Sequence, residues 1–296
     1  MEILRQPKEM DVLPVRYLIP AFIGSLVVSL QERALPLALP GGPVHPRGMS
    51  NTKASAEGVK LSAVLPKLAT AMGIPLEALT RYYEELQYSV DFLADLNKAV
   101  SNVPEFPGVL FDSVDDLRLY RCLLYVVTRA VQPNVFIETG TLNGFGSAFI
   151  LLALRRNGGG TLYSVDMPPA DARILAQGNP LLPAGKAPGW VIPENLRDQH
   201  QLHLGPAETL LPDLFRDVGP ADVFLHDSDH SYTHMIFELA MGWINVRPGG
   251  WILCDNVEAN QAFDDFARGA GVNGTVLASF DSPERTWKTG LFQKPA

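Results

Sequence analysis

From Pro133 onward the chain alternates short β-branched or aromatic runs with amphipathic stretches, and no other feature limits its fold so strongly. NVFIE is followed by a helical pattern from about Gly146, and TLYSVD by a loop. QLHLG leads to AETLLPDLF, ADVFLHD to a helix from Ser231 to Asn245, and WILCDN to the helical pattern of VEANQAFDDFARG. Strand runs separated by helical spacers make crossover connections, which build a mostly parallel sheet covered by helices on both faces. The last two runs, TVLASF and TWKTGLFQ, are separated only by DSPER, too short for a parallel crossover, so they pair as an antiparallel hairpin at the sheet edge. The expected fold is α/β, Rossmann-like and doubly wound. Its seven-stranded, mostly parallel sheet ends in that hairpin and is preceded by N-terminal helices.

The preceding residues divide into two parts. Val59 to about Val100 carries apolar residues at helical spacing, first in VKLSAVLPKLATAM and then in PLEALTRYYEELQYSVDFLADLNKAV, where Pro75 takes a first-turn position. Ser113, followed by Asp115 and Asp116, reads as an N-cap opening a helix through Arg129. The boundaries expected are an N-terminal extension and linker over 1–58, a helical accessory or cap segment over 59–112, and the α/β domain over 113–296. Within the extension, the apolar run Tyr17 to Leu30 contains Pro20 and Gly24 and falls short of the roughly 20 residues a membrane span needs, so no span is expected. A net charge of -8 gives no general attraction to phosphate backbones or anionic lipid, which argues against nucleic acid as a partner. Cys122 and Cys254 each lie in an apolar run and read as buried thiols rather than a disulfide framework, implying a reducing, cytoplasmic setting. The apolar helices around Tyr82 to Val100 make a homo-oligomer an expectation.

The chemistry concentrates at strand ends. The first strand runs through Glu138, Gly140, Thr141, Gly144 and Ser147 straight into a helix, placing small residues and backbone N–H groups where open α/β sheets bind ligands. A dinucleotide fingerprint would need glycine at 142, where this chain has leucine, and the Gly-Lys-Ser/Thr of a phosphate-cradling loop is absent. Asp166 closes the second strand, where a carboxylate can accept hydrogen bonds from the ribose hydroxyls of a bound adenosine. Gly205-Pro206-Ala207-Glu208 forms a tight turn suited to walling an adenine ring. The fourth and fifth strands deliver Asp227, Asp255 and Asn256 to the same rim, an oxygen donor set that suits Mg²⁺. His230, three residues after Asp227, offers a base with a near-neutral pKa to take a hydroxyl proton. His226 and His234 read as structural. The His-x-His of a zinc hydrolase of the metallo-β-lactamase kind is missing upstream of Asp229-His230.

These residues, taken in order, resemble the class I S-adenosylmethionine (SAM)-dependent methyltransferases, in particular the branch of cephalosporin-hydroxylase-like and macrocin-type sugar O-methyltransferases. The resemblance spans Val131 to Gln293 and is carried by FIETGTLNGFGS, YSVD, WVIPENLRDQHQLHLGPAETLLPDL and FLHDSDHSYTHMIFELAMGWINVRPGGWILCDNV. It implies that 113–296 is the methyltransferase domain and that Glu138, Gly140, Thr141, Gly144, Ser147, Asp166, Ala207 and Asp227 bind SAM. It further implies a divalent metal, Mg²⁺, on Asp227, Asp255 and Asn256, with His230 as the base. Some members carry an acid where this chain has Asn256. The implied reaction is O-methylation of a hydroxylated small molecule, a sugar or a phenol of a natural product. A catalytically silent SAM-binding module and a metal-independent N-methyltransferase are the alternatives. The Pro/Gly-rich loop from Met167 to about Pro193 reads as a lid anchored by Trp190.

Overall fold

The computed structural model describes residues 61–106, 111, 119–169, 182–281 and 286–296. The readings of the 1–58 extension, its Tyr17 to Leu30 run and the Ser113 cap lie outside these residues. Among the described residues no helix is long and apolar enough to cross a membrane.

Three helices come first, α1 (Leu61–Met72), α2 (Leu76–Gln87) and α3 (Val90–Val100). The periodicity over PLEALTRYYEELQYSVDFLADLNKAV reads as one helix, but the chain breaks at Tyr88 and Ser89. The amide of Ser89 donates to the carbonyl of Leu86, and that of Leu93 to the carbonyl of Ser89, so the serine closes one helix and opens the next. Pro75 stands one place earlier than expected, as the N-cap of α2. The break redirects the apolar stripe so that Leu79, Leu86, Phe92, Leu93 and Leu96 all enter the core shared with α4 (Leu119–Val131). Each such side chain withdrawn from water contributes about 1.5–3 kcal/mol.

The sheet contains β1 (Val135–Thr139), β2 (Thr161–Asp166), β3 (His200–Leu204), β4 (Ala221–His226), β5 (Val246–Cys254), β6 (Thr275–Asp281) and β7 (Thr286–Gln293). Their order is β3-β2-β1-β4-β5-β7-β6. The first five pair in parallel, while β7 runs antiparallel to both β5 and β6. The expected hairpin is therefore present, with β6 at the edge and β7 between it and β5. Alternate residues of each strand serve different layers. Phe136, Leu162, Val223 and Leu225 join the core of α4 and α5 (Phe145–Asn157), whereas Phe224 meets Phe215 of α6 (Ala207–Val218) on the other face, where α7 (Tyr232–Asn245) also packs. Two boundaries differ from the sequence reading. β5 starts at Val246 rather than Trp251, and its pairing with β4 shifts register between Ala221 and Val223, across the Pro248-Gly249 bend. The helix after β5, α8 (Ala262–Gly269), starts late because Asn256 takes a positive φ of 53° and the side chain of Asn260 caps Ala262 at 2.8 Å. Cys122 and Cys254 are both buried thiols.

Candidate active site

The turn after β1 is built by close approach. Gly140 takes φ 85°, its amide donates to the carbonyl of Val165 at 2.9 Å, and a Cβ there would overlap the backbone carbonyl of Asp227. Only glycine lets the ends of β1 and β4 meet at this distance. Gly144, the N-cap of α5 at φ 91°, is equally constrained, since a Cβ would stand 2.6 Å from the Cα of Gly189. Leu142 also adopts a positive φ, 48°, where a dinucleotide fingerprint has glycine. That conformation costs a side-chain-bearing residue roughly 1–2 kcal/mol. Hydrogen bonds offset it: the carboxylate of Asp166 accepts the amides of Thr141 at 2.9 Å and Leu142 at 2.6 Å, and the carbonyl of Leu142 accepts the amide of Gly189 at 2.8 Å. The other Asp166 oxygen accepts the amide of Met167 at 2.7 Å. Burial raises the Asp166 pKa, and these backbone donors only partly counter it.

Beneath the turn lies Glu138. Its Oε1 accepts hydrogen bonds from Ser147 on α5 and from Ser164 on β2, and Ser164 Oγ also lies 2.8 Å from His200 Nε2. Burial pushes the Glu138 carboxyl up to about 7 against the pull of the serine hydroxyls, and pushes His200 down to about 4.

The acidic rim faces the turn. The amide of Asp227 donates to the carbonyl of Thr139 at 3.0 Å, and that of Asp255 to the carbonyl of His226 at 2.8 Å, so both acids stand where parallel strands end. Ligand atoms of Asp227, His230 and Asp255 all lie within 4.8 Å of one another, with His230 Nε2 at 3.7 Å from Asp227 Oδ1. Asn256 follows directly, and its Nδ2 donates to Glu258 Oε1 at 3.1 Å, which leaves Oδ1 as the acceptor of that amide. The carboxylates of Asp227 and Asp255, with the amide of Asn256 next in the chain, are oxygen donors that suit a divalent cation, and His230 stands beside them.

Residues 137–257, which contain the glycine turn, Asp166 and the acidic rim, match the family model described as a methyltransferase domain. The strand order, with β7 antiparallel between β5 and β6, is the expected Rossmann-like, mostly parallel seven-stranded sheet. This part of the chain is similar to a methyltransferase domain. No curated protein matches the sequence. Among solved structures, the chain is similar to a putative O-methyltransferase from Klebsiella pneumoniae, at 19% identity over 78% of this chain and 96% of that one, with a TM-score of 0.46. It is also similar to the O-methyltransferase TomG from Streptomyces achromogenes, involved in tomaymycin synthesis and solved with SAM, at 17% identity over 73% and 95% of the two chains and a TM-score of 0.45. A third, the O-methyltransferase from Bacillus cereus in complex with SAH, gives 16% identity over 73% and 100%, and a TM-score of 0.45.

The α/β domain brings the expected residues together in two groups. Gly140, Thr141 and Gly144 form the turn. Asp166 braces it through two of its amides, and Glu138 and Ser147 bond to each other below it. Ala207, the first residue of α6, comes near through Gly205, whose amide donates to the carbonyl of Asp166 at 2.9 Å. Asp227, His230, Asp255 and Asn256 form the second group. Of the Met167 to Pro193 loop, Gly189 to Val191 hydrogen-bond to the turn. Trp190 packs edge-on to Phe106 with ring centroids 5.7 Å apart, and its Nε1 donates to Asn143 Oδ1 at 2.6 Å.

Two residues escaped the sequence reading. The hydroxyl of Tyr120, on α4, donates to Asp227 Oδ2 at 2.9 Å, and its pKa is driven far up, first by burial and then by Asp227 and Asp255. Nothing in the sequence links positions 120 and 227. Glu238 had a signal, a lone acid in the apolar IFELAM run of α7, four residues after His234. Fully buried, it accepts from Thr139 and His226 on one oxygen, and from Ser228 and His234 on the other, each at 2.8 Å. Burial would raise its pKa, but the bonds to His226 and His234 prevail and hold it at about 2. His226 and Thr139 thus tie the ends of β4 and β1 to α7 through Glu238, while His234 braces that carboxylate from one turn earlier on the same helix.

Proposed function

We propose that this domain transfers the methyl group of SAM to a hydroxyl of a small molecule, with His230 as the base and a divalent metal at the acidic rim. The observation that supports the reading is the close approach of Gly140 to the backbone of Asp227, by which the glycine turn lies beside the Asp227–His230–Asp255 cluster. In this reading the turn, with Glu138 and Ser147, would hold the methionine part of SAM, Asp166 would accept from the ribose hydroxyls, and Ala207 would line the adenine side. SAM, when bound, would supply an activated methyl group with a thioether as its leaving group, and His230 would take the proton of the acceptor hydroxyl. Holding donor and acceptor in line supplies much of the acceleration, on the order of 7–11 kcal/mol in favourable cases. Asp227, Asp255 and Asn256 would hold Mg²⁺, which when bound lowers the acceptor hydroxyl's pKa and neutralises charge on its oxygen.

Calorimetric titration with S-adenosylhomocysteine, with Mg²⁺ and with EDTA, followed by methyl transfer from SAM to a panel of phenols and sugars, tests this reading. Asp166→Ala is expected to weaken S-adenosylhomocysteine, and Asp227→Ala to abolish the heat of Mg²⁺ binding. Transfer to amines that EDTA leaves untouched would overturn the metal-assisted O-methylation.

A further inference from the structure

We propose that Asn260 is the positioning residue for His230; this rests on the reading of His230 as the base. His230 stands on neither a strand nor a helix. β4 ends at His226 and α7 begins at Tyr232, so the imidazole is carried by the short segment between them. A base on such a segment needs a contact that fixes its backbone, because a misplacement of about 1 Å at a reacting centre is enough to slow transfer. Asn260 supplies that contact: its Nδ2 donates to the carbonyl oxygen of His230 at 2.9 Å.

The Asn260 side chain is itself held at both ends. Its Oδ1 accepts the amide of Ala262, the first residue of α8, at 2.8 Å, and a backbone N–H only donates, so the oxygen end of the group is settled. Its Nδ2 also lies 3.2 Å from Sδ of Met235, a buried residue of α7, which gives the NH₂ a second acceptor. The backbone before it is tied to the acidic rim, since the amide of Ala259 donates to the carbonyl of Asn256 at 2.9 Å. Tyr232 Oη donates to Asp265 Oδ2 at 3.1 Å, joining the start of α7 to α8 a second time. Asn260 therefore links the segment that carries His230 to the one that carries Asp255 and Asn256. Through that link it sets where the imidazole stands against the rim, with His230 Nε2 at 3.7 Å from Asp227 Oδ1.

Two substitutions separate this role from helix capping. Asn260→Ser keeps an oxygen for the Ala262 amide but has no NH₂ to span to the His230 carbonyl, and Asn260→Ala loses both bonds. Carbethoxylation of the full chain by diethylpyrocarbonate, read residue by residue by peptide mass spectrometry, reports how firmly the imidazole is held. In both variants His230 is expected to react roughly two- to twelvefold faster, the opening gained by losing one net hydrogen bond, while His234 stays within about twofold. Asn260→Ala alone should also lower the melting temperature, by roughly 2–4 °C. An unchanged rate at His230, a rise confined to the less stable alanine variant, or an equal rise at His234 would overturn the proposal. On an acceptor methylated in the panel of phenols and sugars, Asn260→Ser should lower kcat about 10- to 100-fold and leave S-adenosylhomocysteine affinity within about twofold. Loss of rate and affinity together would show a merely structural role. His230→Ala protein that transfers methyl as fast as wild type would instead remove the base reading, and with it the catalytic half of the proposal, while leaving the carbethoxylation result to stand for the anchor.

Discussion

Replacing Glu238 by glutamine tests whether the buried carboxylate behind the rim holds the site together. The carboxylate accepts from four groups, Thr139 and His226 on one oxygen and Ser228 and His234 on the other. Glutamine keeps one oxygen and turns an NH₂ toward two of those donors, so two bonds are lost and donors face donors. The descent of the Glu238 pKa from the ordinary 4.5 to about 2 measures how strongly the fold prefers its ionised form. That interval is worth about 3 kcal/mol. Because the folded pKa lies below the unfolded one, the stabilisation is complete above pH 4.5 and is lost as pH falls from 4.5 toward 2. At pH 7, Glu238→Gln should therefore lower stability by about 3 kcal/mol, or the melting temperature by about 6–12 °C in a domain of this size. The variant should also lack the wild-type share of acid destabilisation below pH 4.5, so the two melting curves converge as pH falls from 5 to 3. Circular dichroism melts across that range would check both. A variant that melts within about 2 °C of wild type at pH 7, or a gap that does not narrow on acidification, would refute the account of Glu238 as an ionised tie.

Glu138 should give the opposite slope. Its folded pKa of about 7 lies above the ordinary 4.5, so the fold favours the protonated form and wild-type stability declines as pH rises from 4.5 to 7. Glu138→Gln, which keeps an oxygen for Ser147 and Ser164, should flatten that decline in urea titrations at pH 5 and pH 7.5. Gly140→Ala should abolish S-adenosylhomocysteine binding in calorimetry, because its Cβ would overlap the Asp227 carbonyl and positive φ strains any side-chain-bearing residue. Tyr120→Phe removes the hydroxyl that orients Asp227 and is expected to weaken Mn²⁺ binding, read by electron paramagnetic resonance, about 10- to 100-fold, with S-adenosylhomocysteine affinity preserved.

The sheet was legible because its signals are local. The hairpin followed from counting DSPER, and the parallel strands from short apolar runs spaced by helices. The misses were local too. The turn at Tyr88 and Ser89 sits inside an apolar periodicity that a single helix also satisfies, and only the packing of Phe92 and Leu93 into the shared core separates the two solutions. At α8, Asn256 and Asn260 were available as helix breakers and caps, but the acids of NQAFDDF mimic an earlier first turn.

The candidate site divides along the same line. Gly140, Gly144, Asp166, Asp227 and Asp255 are legible because each ends a strand, and parallel strands bring their ends to one rim. How they act on one another is a property of three dimensions. Asp166 reads as a ligand group, yet in the fold it first neutralises the amides that Leu142 exposes by taking a conformation glycine would adopt without cost. That exchange lets a leucine occupy position 142, so the leucine that argued against a dinucleotide turn is sustained by an acid 24 residues away. Tyr120 and Trp190 act on Asp227 and Asn143 across 107 and 47 residues, separations at which no periodicity or spacing survives. Both contacts are made by side chains from outside the strand ends, one from α4 and one from the loop docked on the turn. The residues that end strands therefore specify which chemistry the rim supports, and the segments packed over it determine how each polar group points. Substitutions in those outer segments should accordingly change ligand and metal affinity more than they change the stability of the sheet.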